Sequence, residues 1–366
     1  MNRRQLARRR TRAAGPAGRR CKRMRIAVIG AGMASAPHFQ SLADLQAEGL
    51  LTWEWVVARD AGRLASLQLP AQPRRSTRLQ DVLDDAGVKA ALVLTPPNTH
   101  LDIARQLARA GKHVLVEKPL DITTAGAREV VAICAASGVQ LAVMLQHRMA
   151  DASRQLSNLL ANGQIGQLIS ASASARWWRP QSYYDEPGRG TLARDGGGVL
   201  MTQAIHTLDL LLQYTGRPVE VCAYAQTSPA HRMECEDTVV AILRFEGGAM
   251  ATLDATTAAQ PGYPACITLN GTHGSMTLTE GNLMGWLTDG QHIGVSAGHG
   301  SGSGADPMAF HHGAHRAVLA DFVHSIRQQR EPATSGRSAL PVQQVIDALL
   351  LSARSGRPVA PDYRTD

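Results

Sequence analysis

Three short stretches of this 366-residue chain hold residue types whose chemistries complement one another. The first is Gly30-Ala31-Gly32-Met33-Ala34-Ser35, which has the first two glycines of a phosphate-cradling turn and a serine in the slot of the third. It follows an apolar, β-branched run from Arg25 to Ile29 and opens a helical pattern through Ala36 to Ala47. That placement aims helix amides and a positive dipole end at a pyrophosphate. The second is Glu117-Lys118-Pro119, just after the strand-like His113 to Val116. At the carboxyl end of a parallel strand a lysine faces the ligand crevice, where an ammonium can stabilise a developing alkoxide. The third is Gly196-Gly197-Gly198 with His206 downstream, an imidazole able to exchange a proton near neutrality. Taken singly, each has a plainer reading: a turn joining strand to helix, a solvated lysine, a buried structural histidine.

For these groups to meet, strands must deliver them to one edge. Strand-like runs at Arg25 to Ile29, Trp53 to Ala58, Ala90 to Leu94, His113 to Val116 and Gln140 to Leu145 alternate with helical patterns. Such alternation predicts a doubly wound parallel sheet of the Rossmann type over residues 24–146. Beyond it the rhythm changes. Runs at Leu168 to Ala175, Val219 to Gln226, Thr238 to Phe245, Ala249 to Thr256, Cys266 to Asn270 and Ser275 to Thr279 are spaced as hairpins. They predict an α+β domain over 147–366 built on a large, open, mostly antiparallel sheet. Gly290 to Ala305 reads as a Gly/Ser-rich loop, and helices near His312 to Gln328 and Pro341 to Ser355 close the chain and pack back.

Charge looks informative until it is located. The formal net charge is +8, yet residues 1–23 hold ten of the 38 Lys and Arg and none of the 30 acids. The remainder is slightly acidic, so no nucleic-acid groove is implied. The Arg-rich segment lacks the apolar stretch of a secretory signal and reads as a disordered extension ahead of a start at Met24, a basic arm being the rival reading. Five scattered cysteines without a C-x-x-C pair point to a reducing cytoplasm, with neither a disulfide framework nor a thiolate metal site. No apolar run is long enough to span a bilayer.

Several separate segments resemble the glucose-fructose oxidoreductase, inositol dehydrogenase and rhizopine-catabolism family (Gfo/Idh/MocA): RIAVIGAG at 25–32, TPPNTH at 95–100, GKHVLVEKPL at 111–120, GGGVLMTQAIHTLD at 196–209, and the ending from Phe322 to Val359. The resemblance runs from Met24 to the C-terminus. It implies an NAD(P)-dependent oxidoreductase acting on a secondary alcohol or carbonyl of a sugar, cyclitol or related molecule, with Lys118 and His206 as the catalytic pair. It places the cofactor against Gly30, Gly32, Met33, Arg59, Thr95, Pro96, Asn98, His100, Glu117 and Lys118. It also implies a homodimer or homotetramer paired through the open sheet. Arg59, at the end of the second strand, suits the 2'-phosphate of NADP, whereas a shift of one residue puts Asp60 there and favours NAD.

Thr202 departs from the family pattern, which often has Asp four residues before the histidine. A threonine can hydrogen-bond to substrate or imidazole but cannot supply charge, and Asp209, one turn past His206, is the substitute to consider. Arg176-Trp177-Trp178-Arg179-Pro180-Gln181-Ser182-Tyr183-Tyr184 gathers four of the chain's 15 aromatic residues. Aromatic faces beside guanidinium groups suit a polyhydroxylated ring, including one with an acid or phosphate group, and equally suit a subunit contact. Arg176, Trp178, Tyr183, Tyr184, Thr202, Asp209 and Arg148 are therefore the substrate-binding candidates. His311, His312 and His315 lack ligand spacing and read as an ordinary helix face, so no metal is expected. Two other functions fit the same features: a nucleotide-sugar dehydrogenase, and a cofactor-binding regulator without turnover.

Overall fold

The computed structural model describes residues 23–296 and 311–364. The basic segment up to residue 22 and most of the Gly/Ser-rich stretch lie outside the described residues.

A parallel sheet is formed by β1 (Met24–Ile29), β2 (Leu51–Val57), β3 (Arg74–Ser76), β4 (Val88–Val93), β5 (His113–Val116) and β6 (Leu141–Val143), in the order β3-β2-β1-β4-β5-β6. The switch in strand order falls between β1 and β4, where a doubly wound sheet opens its crevice. The Rossmann-type sheet is thus as expected, with one strand more than the apolar pattern had marked. Arg-Arg-Ser at β3 is a short polar edge strand, and an edge gives no apolar alternation to read.

The second sheet has eight strands: β7 (Leu168–Arg176), β8 (Pro218–Gln226), β9 (Thr238–Phe245), β10 (Met250–Thr256), β11 (Cys266–Gly271), β12 (Gly274–Thr279), β13 (Asn282–Leu287) and β14 (His292–Val295), ordered β14-β13-β12-β11-β7-β10-β9-β8. Among the described strands of this sheet only β7 and β10 pair in parallel. One face is buried: Val239, Ala241, Leu243 and Phe245 of β9 alternate with exposed Val240, Ile242 and Arg244. The expected loop from Gly290 is corrected at its start, because His292–Val295 pairs with β13 and extends the sheet.

Two helices bind the halves. Gly313–Gln328 returns to the parallel sheet, burying Val318, Leu319, Phe322 and Val323 against Ile26, Val28, Phe39 and Leu42. Truncating a fully buried phenylalanine such as Phe322 costs about 3–5 kcal/mol. Gly336–Ser355 places Ala339 and Leu340 in the core of the parallel sheet and Val342, Val345, Ile346 and Leu349 in that of the second sheet. It starts five residues earlier than Pro341, capped by Ser335, whose side chain accepts from the Ser338 amide; Gly336 is a poor helix former and hides the true start.

Candidate active site

Gly30 takes a φ of +102°, and a Cβ there would lie 2.8 Å from the backbone carbon and oxygen of Leu94. Only glycine lets β1 and β4 approach so closely. A Cβ on Gly32 would meet nothing within 4 Å, which leaves open space above the turn. Met33 begins the helical turn Met33–Ser35 that leads into the helix Ala36–Ala47, and the Ser35 hydroxyl closes it by donating to Gly32 O at 2.7 Å. The glycine turn, the gap above it and the helix start together form a cradle that fits a dinucleotide pyrophosphate.

This cradle is one end of a single cavity of about 1080 Å³ that continues past Arg59, Asp60, Thr95, Pro96 and Asn98 to Glu117, Lys118 and His206. Arg59 and Asp60 follow β2 together, and one oxygen of Asp60 accepts from Arg63 N at 2.9 Å, capping the helix Ala61–Ser66. His100 stands behind the wall: its ring nitrogens contact Pro119 O at 3.0 Å and Thr95 O at 2.9 Å, tying the two loops together. It braces the cofactor side of the cleft without lining it.

Lys118 crosses from the first half to the second, donating to Thr202 O at 2.5 Å. Burial lowers its pKa, Glu117 raises it, and Arg179 lowers it again. Thr202 takes part through its carbonyl, because its hydroxyl donates to Gly198 O at 2.7 Å and also meets Gln203 Oε1. His206 is buried, stacked on His147 with ring centroids 4.6 Å apart and planes 18° from parallel. Its Nδ1 has no hydrogen-bond partner among the described residues. Burial, then His147 and Lys118, hold its pKa well below the ordinary imidazole value.

The glycine run makes this crossing possible. Gly196 has a φ of +75°, and a Cβ there would lie 2.4 Å from Ile122 O; one on Gly198 would lie 1.7 Å from Glu236 O. The Gly198 amide donates to both Glu236 carboxylate oxygens at 3.1 Å. So anchored, the short helix Val199–Thr202 presents its last carbonyl to Lys118, and the helix Ile205–Thr215 follows with His206 in its first turn.

Sequence reasoning missed His38 and His147 and read His315 as part of an ordinary helix face. His147 lies in the helical turn Gln146–Met149 just after β6, a strand-end position that could have marked it. His38 contacts Glu117 Oε1 at 2.7 Å, and its ring meets that of His315 edge-on at 5.0 Å. Burial would raise the Glu117 carboxyl, but the His38 hydrogen bond and the charges of His38 and Lys118 prevail and hold it at about 2. The helix-face reading of His315 is corrected: it is buried at the cavity wall, while His312 pairs with Asp44 at 2.6 Å. Ligand atoms of His38, Glu117 and His315 lie within 4.8 Å of one another, with His38 and Glu117 already joined to each other.

Over Arg176 to Arg179 the aromatic segment is read one residue out of phase, whereas Tyr183, marked from the sequence, does line the cavity. Trp177, Arg179 and Tyr183 line the cavity. Arg176 instead pairs with Asp254 at 2.6 Å beside the sheet, Trp178 bridges to Ala258, and Tyr184 is buried with its hydroxyl 2.7 Å from Thr257 Oγ1. From Arg176 to Arg179 an extended chain sends alternate side chains to opposite sides, and nothing in the sequence says which set turns inward. Tyr183 and Tyr184 part instead because they occupy successive positions of the short helix Gln181–Tyr184. Arg148 and Asp209 are also outside the lining. They form a buried pair at 2.5 Å, with Arg148 bonding Ser338 as well. Burial pushes the Asp209 carboxyl up and Arg148 draws it back. Glu186, Arg189, Arg194, Asp195 and Gln203 complete the cavity's second half.

Residues 24–145 match the model of an oxidoreductase family with an NAD-binding Rossmann fold, and residues 153–277 match the GFO/IDH/MocA C-terminal domain. Among curated relatives, inositol 2-dehydrogenase 2 of Paenarthrobacter aurescens is 27% identical over 91% of this chain and 96% of its own length. The 1,5-anhydro-D-fructose reductase of Ensifer adhaerens is 32% identical over 57% of this chain and 60% of its own. Among solved structures, the WlbA dehydrogenase from Bordetella pertussis, in complex with NADH and UDP-GlcNAcA, is 28% identical, with a TM-score of 0.78 over 93% of this chain and 99% of that one.

Proposed function

The chain belongs to the Gfo/Idh/MocA family of NAD-binding oxidoreductases, and on that premise we propose that Lys118 and His206 carry hydride exchange between a nicotinamide and a secondary alcohol or carbonyl of a sugar, cyclitol or sugar derivative. The observation that supports it is the shared cavity. One continuous cleft is lined by the Gly30–Gly32 cradle, by Lys118 from the parallel half and by His206 from the other.

The nicotinamide cofactor supplies the hydride acceptor or donor. Within the cleft, the Lys118 ammonium stabilises charge on the substrate oxygen, and His206, neutral in its buried setting, takes the hydroxyl proton during oxidation and returns it during reduction. Thr202 O fixes the ammonium, and the His147 ring fixes the plane of the imidazole. The first experiment is a panel of sugars, cyclitols, sugar acids and nucleotide sugars followed by nicotinamide absorbance. Binding of cofactor without turnover on any of them would favour a regulator instead. The nucleotide-sugar reading draws support from the WlbA structure with its UDP-sugar.

For the cofactor we propose NADP(H) over NAD(H). Arg59 and Asp60 both line the cavity, and since one Asp60 oxygen is engaged in capping its own helix, the reading rests on Arg59 as the group to meet a 2'-phosphate. Michaelis constants for both cofactors test this, and a clear preference for NAD(H) would remove Arg59 from the site. We further propose a cytoplasmic homo-oligomer. Four described cysteines are unpaired, and no described helix is long and apolar enough to cross a membrane. The outer face of the second sheet exposes Tyr224, Val240, Ile242, Met250, Met284 and Trp286, an apolar display of the kind that pairs subunits. Sedimentation of Ile242→Glu, expected to move the wild-type assembly toward monomer, checks the pairing.

A further inference from the structure

Beyond Lys118 the cleft is lined by three guanidinium groups, those of Arg179, Arg189 and Arg194. Arg179 is only 3% exposed and lies 5.2 Å from the Trp177 ring centroid and 5.8 Å from that of Tyr183. Arg189 packs on Tyr183 at 4.2 Å. Two carboxylates face these groups. Asp195 accepts from the Gly190 amide at 2.7 Å through Oδ2, and its Oδ1 lies 3.8 Å from Arg194 Nε, a looser contact than that with Glu186. Glu186 takes both outer arginines: Oε2 accepts from Arg189 Nε at 3.0 Å, and Oε1 pairs with Arg194 at 2.8 Å.

The exposures of this trio differ in a telling way. The Glu186 side chain is 42% exposed, whereas Arg189 and Arg194 are 16% and 22% exposed. A carboxylate on the solvent side thus covers two arginines that sit deeper in the cleft. Because the carboxylate is the exposed partner, it regains water on leaving, which offsets part of the ion pairing it gives up. The guanidinium groups, being planar donors, then offer paired N–H bonds to another carboxylate of better fit. Lys118 and Arg179 add positive charge at the same end, so a neutral ring leaves the wall with a cationic excess that an acidic ring would offset.

We propose that Arg189 and Arg194 form a subsite for a carboxylate borne on the sugar, and that Glu186 occupies it until substrate displaces it. The inference rests on the oxidoreductase reading of Lys118 and His206, and narrows its substrates to acidic sugars such as uronates.

The test uses the full chain loaded with reduced cofactor. Glucuronate, galacturonate and mannuronate are titrated beside their neutral parent sugars and the matching 6-phosphates, with ligand-induced thermal shift and calorimetry as readouts. At least one uronate is expected to bind about tenfold or more tightly than its parent. Arg189→Gln and Arg194→Gln should remove that preference. Glu186→Gln, a conservative change at an exposed position, should tighten uronate binding by removing the competing carboxylate, an effect that a merely structural glutamate would not produce. Uronates binding no better than their parents, 6-phosphates binding better than uronates, or weaker uronate binding by Glu186→Gln would each overturn the carboxylate subsite. Failure to bind reduced cofactor at all would instead strike the oxidoreductase reading beneath it.

Discussion

Lys118 and His206 come from opposite halves of the chain yet line one cleft, and each is shaped by burial more than by a charged partner. If they perform the proton and charge work, Lys118→Ala and His206→Ala each lower kcat/KM by about 100-fold or more on a turned-over sugar. Near-full activity in both variants would remove them from the mechanism. The sign of the His206 shift also fixes a pH profile. A lowered pKa keeps the imidazole neutral, and so able to accept a proton, down to pH values below its ordinary 6.5. For alcohol oxidation, the acid limb of kcat/KM due to this group therefore lies below 6.5, as a profile between about pH 5 and pH 9 would show. A limb centred at or above the ordinary imidazole value contradicts the assignment.

Among the elements, the turn after β1 matters most. Gly30→Ala places a methyl group 2.8 Å from the Leu94 backbone at a positive φ, so strain of about 1–3 kcal/mol or more is expected. The measurements are thermal unfolding and reduced-cofactor titration, with loss in both. Unchanged cofactor affinity would separate the turn from the cradle. This turn was legible in the sequence because a close backbone approach admits one residue type, and the chain shows it as glycine. Arg176 to Tyr184 was not legible to the same depth. The residue types foretold a polar aromatic wall, but the facing of Arg176 and the extended residues after it follows from a register that β7 acquires only by pairing with β10 and β11, and that of Tyr183 and Tyr184 from the short helix Gln181–Tyr184.

At the scale of the molecule, the two halves are joined by shared helices and by the buried Arg148–Asp209 pair, which runs from the end of the parallel half to the helix Ile205–Thr215. Removing one partner leaves the other charge buried, so Asp209→Ala is expected to lose about 3–5 kcal/mol of stability. Denaturant unfolding reads this directly; a loss below 1 kcal/mol, the range of surface pairs, would mean that water reaches Arg148. His38, Glu117 and His315 illustrate the same joining, for they lie far apart in sequence and meet only where the returning helix Gly313–Gln328 crosses the helix Ala36–Ala47.

The alternation of most strands and helices, the parallel and antiparallel character of the two sheets and the glycine turn were determined by the sequence, because each depends on local period or on a residue type that one backbone geometry requires. The lysine after β5 and the histidine after the glycine run were singled out by resemblance to the family's motifs. Only the tertiary structure decided that Arg148 and Asp209 pair away from the cleft, that Thr202 offers its carbonyl, that His147 stacks on His206, and that Arg189 and Arg194 share Glu186. These are contacts between segments distant in the chain, fixed by how two cores pack around shared helices, and no local pattern encodes their distances.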